Sequence, residues 1–120
     1  MGGRVAVSVG DIHRVDLPSE DGREQRGRRP AVVMQDDNYG RNLPVVLVAP
    51  LTTARATMRF AGTTLVHPTS ENGLKQESVV LMFQLRAIDR RRLRGRIGAV
   101  DAEVLNAMFD ELGKLTGRSV

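Results

Sequence analysis

Val45-Val46-Leu47-Val48-Ala49, ending in Pro50-Leu51-Thr52-Thr53, is the stretch that decides the architecture. Five apolar residues in succession, closed by a proline, read as a strand buried on both faces. Upstream, Ala31 to Gln35 reads as a second strand, and Asp36-Asp37-Asn38-Tyr39-Gly40 between the two is turn chemistry. Further upstream Val5, Val7 and Val9 alternate, Gly10-Asp11 turns, and Ile12 to Leu17 alternates again; both segments read as strand, with Pro18 to Pro30 as loop. Downstream, residues 54–60 are irregular, Gly62 to His67 is a strand, Pro68 to Gly73 a loop and Ser78 to Gln84 a second buried strand. Asp89 to Leu93 reads as one helical turn and Arg96-Ile97-Gly98 as a short strand.

One strong helix is expected, at the C-terminal end. Asp101 is its N-cap, Val104, Leu105, Met108, Leu112 and Leu115 recur at helical spacing, and Gly117 fits the position just past its end. Short strands with turns between them and one amphipathic helix predict a mainly β fold with α (α+β): a small twisted sheet or barrel with the helix packed on it. The 120 residues are expected to form a single domain, enough to bury roughly two-thirds of the unfolded surface. There is no cysteine, so disulfides, thiolate nucleophiles and cysteine zinc sites are excluded. No segment approaches the ~20 apolar residues of a membrane span and no signal-peptide core opens the chain, so a cytoplasmic protein is expected.

Charge is the second informative feature. Sixteen of the eighteen basic residues are arginine, the exceptions being Lys75 and Lys114, and the net charge is +4. A genome rich in arginine codons would produce that bias, but not its clustering. Gly22-Arg23-Glu24-Gln25-Arg26-Gly27-Arg28-Arg29-Pro30 carries four arginines in a loop that runs straight into the strand at Ala31. Arg86, Arg90, Arg91, Arg92, Arg94 and Arg96 stand against one acid, Asp89. Guanidinium groups favour planar, bidentate anions, so the two clusters point to a polyanionic partner. The second cluster equally suits RNA, an acidic protein tail or a solvated face. With only Tyr39, Phe60, Phe83 and Phe109 as aromatics, base stacking is not expected to dominate binding.

Familiar catalytic patterns are missing. His13 and His67 are far apart and read as strand surface; no HExxH, GxSxG or P-loop occurs, and no metal or cofactor is expected. What remains is Arg29 with Glu24 before it and Thr52-Thr53 at the end of the central strand. An arginine, a hydroxyl and a carboxylate suit phosphoryl chemistry on a substrate that brings its own nucleophile, as RNA does in its 2′-OH. On spacing alone, Glu24 pairing with a neighbouring arginine and Thr52 merely ending a strand account for the same residues.

The order of motifs adds to this. Gly10-Asp11-Ile12, Val15-Asp16, Gly22-x-Glu24-Gln25-x-Gly27-x-Arg29-Pro30-Ala31-Val32-Val33, Pro50-Leu51-Thr52, Gln84-Leu85-Arg86-x-Ile88-Asp89 and Arg92-Leu93…Ile97-Gly98 resemble the MazF/PemK toxin endoribonucleases, from about residue 10 to 116. The resemblance implies a small SH3-like antiparallel barrel with a C-terminal helix, forming a homodimer. It implies metal-independent cleavage of single-stranded RNA, and a cognate antitoxin, with an acidic C-terminal segment, that blocks the RNA groove. Carried over by position, Arg29 resembles the catalytic arginine, Thr52 its partner at the scissile phosphate and Glu24 an acidic residue proposed as a base. Arg23, Gln25, Arg26, Arg28, Thr53, Gln84 and Arg86 become the expected RNA-binding residues. Two positions depart from the pattern: Arg23 stands where Ser or His is common, and Phe83 where an acid is common. A CcdB-like gyrase poison of the same barrel type, acting through its C-terminal helix, and a non-catalytic RNA-binding barrel are the alternatives.

The expected reaction is transesterification, the 2′-OH attacking the adjacent phosphorus to leave a 2′,3′-cyclic phosphate and a 5′-OH. Arginine keeps its proton at any pH the protein meets, because its pKa exceeds ~12. Arg29 is therefore assigned to charge and Thr52 to a hydrogen bond on the same oxygens. Glu24 is either a base, weakened by the arginines around it, or the residue that orients Arg29.

Overall fold

The computed structural model describes residues 6–18 and 27–118. In chain order these form β1 (Asp11–Leu17), β2 (Gly27–Val33), the helical turn α1 (Asp37–Gly40), β3 (Val45–Thr52), β4 (Thr63–Val66), β5 (Ser78–Leu81), β6 (Arg86–Asp89), β7 (Leu93–Ala99) and α2 (Ala102–Leu115). One-turn 3₁₀ segments lie at Arg55–Arg59, Met82–Gln84 and Arg90–Arg92. All pairings are antiparallel, in the order β4-β5-β3-β2-β1-β7, with β6 beside β3.

The central run is covered on both faces, as its composition requires. Val46 and Val48 enter one apolar cluster with Val7, Val15, Leu17, Ala31, Val33 and Ile88. Ala49 and Leu51 enter another with Ile12, Val32, Val80, Met82 and Met108. Helix α2 closes the second cluster through Val104, Leu105 and Leu112, and the Asp101 carboxylate accepts the Val104 amide at 2.8 Å as its N-cap. Burying each such side chain is worth about 1.5–3 kcal/mol, so β3 is the spine on which the rest is placed. Leu115, counted in the helix's apolar stripe, is 42% exposed at its end.

Several boundaries differ from the sequence expectation, each for a local reason. Val7 and Val9 are not strand: Asp11 folds back on Ser8 through its carboxylate (2.9 Å) and its own amide (3.0 Å), using the hydrogen bonds a strand would need. Val5 lies outside the described residues. Strand β2 begins at Gly27 rather than after Pro30, because β1 pairs with it down to Leu17–Gly27; tertiary pairing overrides the poor strand propensity of Gly, Arg and Pro. Gln35 falls outside β2, and its amide replaces the ladder there, donating to Val45 O (3.1 Å) and accepting from Leu47 N (3.1 Å). The strand expected over Ser78–Gln84 stops at Leu81, tightens into a 3₁₀ turn and resumes as β6, which its arginine-rich sequence concealed. The sheet is bent but its described path is open, ending at β4 and β7, so the barrel expected above is represented by an antiparallel sheet without closure. Among the described residues no helix is long and apolar enough to cross a membrane.

Candidate functional site

Two prolines shape the mouth of the site. β2 and β3 pair through Val33–Val48, Val32–Ala49 and Ala31–Pro50, and there the ladder ends. The next pair of this register, Pro30 with Leu51, has one donor fewer, because Pro30 carries no amide proton. β3 instead continues against β5 through Leu51–Val80 and Thr52–Val79. Carrying the β2–β3 register two residues further sets Arg29 opposite Thr52, on the face that Ala31, Val33 and Val48 share. Arg29 is exposed, while Thr52 is 7% exposed and accepts the Ala54 amide at 3.2 Å on its Oγ1. That bond leaves the threonine's own proton available to donate.

Arg28 points to the other face, since neighbours in a strand alternate. Its Nε donates to one oxygen of Asp16 (3.0 Å), and Arg94 Nε takes the other at 2.6 Å. These two guanidinium hydrogen bonds hold the Asp16 carboxyl below the usual carboxylate range. Arg86 reaches across from β6 to donate to Pro18 O at 3.0 Å, where the chain leaves β1. Gln84 ends the 3₁₀ turn before β6, half-buried, and Thr53 is exposed beside Thr52. Arg23, Glu24, Gln25 and Arg26 lie outside the described residues; the Leu17–Gly27 pair fixes the base of the segment that carries them.

Beside the mouth opens a cleft of about 160 Å³ lined by Arg14, Pro30, Thr53, Leu74, Lys75, Gln76, Ser78 and Ile97. Its wall is rigid: Asn72, 3% exposed, donates to His67 O (2.8 Å) and accepts from Thr69 N (3.0 Å) and Leu74 N (2.9 Å). The wall lies so close to β7 that a Cβ on Gly98 would stand 2.4 Å from the Asn72 backbone. Arg14 and Lys75 were not among the residues singled out from sequence. The signal for Arg14 was its place as the one exposed position of β1; Lys75 carried no signal beyond being one of two lysines.

The second arginine cluster divides on inspection. Arg90 is structural, its guanidinium bonding Leu43 O (2.8 Å) and Gly40 O (2.7 Å) with Asp37 at 3.8 Å. Arg91 donates to Asp89 through Nε and Nη2, and the Asp89 carboxylate caps the turn by accepting the Arg91 amide; these bonds hold the carboxyl down to about 2. Arg94 is taken by Asp16 and Arg96 by Asp11 at 3.2 Å.

The histidines also divide. His67 is on the surface, 2.8 Å from Glu77, but His13 is 2% exposed rather than at the strand surface, since it lies on the face of β1 opposite to the exposed Arg14. Among the described residues neither of its ring nitrogens has a partner, and burial pushes its pKa down. Among the described residues no three His, Cys, Asp or Glu side chains gather in a way that would hold a metal.

Residues 8–116 match the family model described as PemK-like, MazF-like toxin of type II toxin–antitoxin system. The chain belongs to that family. It is 33% identical over 106 residues to endoribonuclease EndoA of Bacillus subtilis, covering 88% of this chain and 90% of that one. It is 34% identical over 114 residues to endoribonuclease MazF of Staphylococcus saprophyticus, covering 92% and 94%. Its fold matches crystalline MazF from Deinococcus radiodurans with a TM-score of 0.78 at 25% identity, over 94% of this chain and 98% of that one. The MazE–MazF structure from the same organism matches with a TM-score of 0.71 at 25% identity, over 94% and 98%. In this MazF-like chain, Arg29 and Thr52 therefore sit within the matched region, at the open end of the β2–β3 ladder.

Proposed function

We propose that this MazF-family chain is an endoribonuclease toxin that cuts single-stranded RNA by attack of the 2′-OH on the adjacent phosphorus. The products are a 2′,3′-cyclic phosphate and a 5′-OH, and neither metal nor cofactor takes part. The observation that carries the reading is the β2–β3 register, which, carried two residues beyond the Ala31–Pro50 pair, sets Arg29 opposite Thr52. Arg29 holds the non-bridging phosphate oxygens and gains strength as their charge grows toward the transition state. Thr52 adds its hydroxyl proton to the same oxygens. Glu24 orients Arg29 or takes the 2′-OH proton, and Arg23, Gln25 and Arg26 hold neighbouring phosphates with it. Thr53, Gln84, Arg86 and the cleft cations Arg14 and Lys75 extend the RNA path, while Arg28 contributes from beside Asp16. The relatives named endoribonuclease, and the MazE–MazF pairing of the Deinococcus protein, support both the activity and its control by an antitoxin. An antitoxin segment rich in acids would compete for the same guanidiniums, and the working unit is a homodimer.

Incubation with single-stranded RNA in EDTA, with analysis of the fragment ends, tests this. Cyclic phosphate and 5′-OH ends are expected, and Arg29→Ala should slow cleavage by about 10³-fold. No cleavage across varied sequences, with Arg29→Ala behaving as the parent, would favour a gyrase-directed or purely binding role. Metal-stimulated cleavage leaving 5′-phosphates would overturn the mechanism but keep the class.

A further inference from the structure

Four aromatic residues are few, yet two of them meet on the surface. Phe60 and Phe83 are 43% and 39% exposed, and their rings pack edge to face with centroids 5.5 Å apart. The Arg59 guanidinium stacks over the Phe60 ring at 4.5 Å. An exposed apolar pair is ordinarily a liability, and here it is held in place from several directions.

A series of turns connects it to Thr52. Thr52 Oγ1 accepts the Ala54 amide (3.2 Å), Ala54 O accepts the Thr57 amide (3.0 Å), and Thr57 O accepts the Phe60 amide (3.0 Å). Phe83 lies in the 3₁₀ turn immediately before Gln84, and the adjacent Met82 amide donates to Gly62 O at 2.8 Å. Gly62 itself sits at φ +80, with Leu115 Cδ1 2.5 Å and Phe83 N 3.3 Å from where a Cβ would be. Its amide donates to Glu111 (3.2 Å), whose other oxygen is taken by Lys114 at 2.8 Å, so the nearby acid is already engaged. From Val79, the residue paired with Thr52, to Phe83 is about 11 Å along strand and turn.

We propose that Phe60 and Phe83, with Arg59 layered on Phe60, form a stacking platform for an unpaired RNA base close to the scissile phosphate. This rests on the endoribonuclease reading and adds a specificity element to it. Aromatic rings and guanidinium planes both stack on unpaired bases. The ring pair is oriented by hydrogen-bonded turns that begin at Thr52, so a base seated there also places its phosphate relative to Arg29 and Thr52. Because Phe83 occupies a position where relatives carry an acid, the platform gives this chain a base preference set by stacking.

The chain contains no tryptophan, which makes Phe83→Trp a site-specific reporter. Its emission is titrated with an RNA oligonucleotide made uncleavable by 2′-deoxy substitution, while anisotropy of the labelled RNA reports binding independently. Saturable quenching with the same midpoint as the anisotropy is expected. Phe60→Ala in that background should weaken binding about tenfold. In the otherwise unaltered chain, Phe83→Leu keeps the apolar bulk and removes the ring; it should raise KM about tenfold and shift the cleavage-site preference. Anisotropy that reports binding without quenching overturns the platform and spares the nuclease. Emission that follows protein concentration rather than RNA also overturns it, because a second copy then covers the rings. A parent chain that neither binds nor cuts RNA overturns the nuclease reading and the platform together.

Discussion

His13→Leu tests the interior of the sheet more sharply than any surface change. The imidazole is 2% exposed, sits in β1 between β2 and β7, and leaves both ring nitrogens without partners among the described residues. A buried polar atom without a partner costs about 1–3 kcal/mol. At pH 7.5, where the ring is neutral, leucine should therefore stabilise the fold by about 1–3 kcal/mol. Protonation adds a second effect. Burial lowers the His13 pKa below its ordinary value; Asp11 pulls it upward, but that carboxylate is already bonded to Arg96, which lowers the pKa further. The unfolded chain, with histidine near 6.5, thus takes up a proton that the folded chain resists, and stability falls as the pH drops below that value. The loss amounts to up to about 1 kcal/mol between pH 6.5 and 5.5. Urea unfolding of parent and variant at pH 7.5, 6.5 and 5.5 measures both terms. Asp16 and Asp89 titrate well below this window, so they leave it clear. A variant less stable at pH 7.5 that keeps the same decline between 6.5 and 5.5 would show that the ring nitrogens are satisfied in solution and refute the reasoning.

Three further outcomes follow from packing and charge. Met108→Ala opens a cavity under α2 where the side chain is 0% exposed, and should cost about 2–5 kcal/mol in denaturant unfolding. Gly98→Ala drives a Cβ to 2.4 Å from the Asn72 backbone and should cost about 1–3 kcal/mol, with faster amide exchange over residues 71–74. Asp16→Asn should leave stability at neutral pH nearly unchanged, because its partners Arg28 and Arg94 are largely exposed and the pairs are screened by solvent. The carboxyl's pKa is depressed in the fold, so its contribution is present above about pH 4 and lost below it; calorimetry of the parent and the Asn variant should converge in acid. The same substitution frees two guanidiniums and should steepen the salt dependence of RNA binding.

The core was legible because its signals are local and redundant. Val45–Ala49 had no polar residue to place, and Asp101, Met108 and Gly117 marked a helix by cap, stripe and terminus. Strand β6 was illegible because Arg86 and Asp89 carry charges whose partners lie elsewhere in the fold, at Pro18 and Arg91. His13 was misjudged for the same reason: whether a strand position is buried depends on what packs over it, and nothing in Ile12-His13-Arg14 states that. Arg29 and Thr52 stood out by residue type, but their juxtaposition is a property of register, which twenty-two intervening positions conceal. The cations at 90–96 looked like one patch in sequence, yet Arg90, Arg91, Arg94 and Arg96 are distributed among Asp37, Asp89, Asp16 and Asp11 in space.

The proline at the end of the β2–β3 ladder has a consequence for kinetics. A seam between two strands ordinarily zips shut whenever donors and acceptors meet, and a ligand must first pry it apart. At Pro30 one of the two bonds of the next pair is missing, so the covalent chain itself weakens closure of the seam there. Under the proposed endoribonuclease function, an incoming RNA strand would have less backbone pairing to displace at this seam, and diffusion and charge would weigh more in its arrival rate.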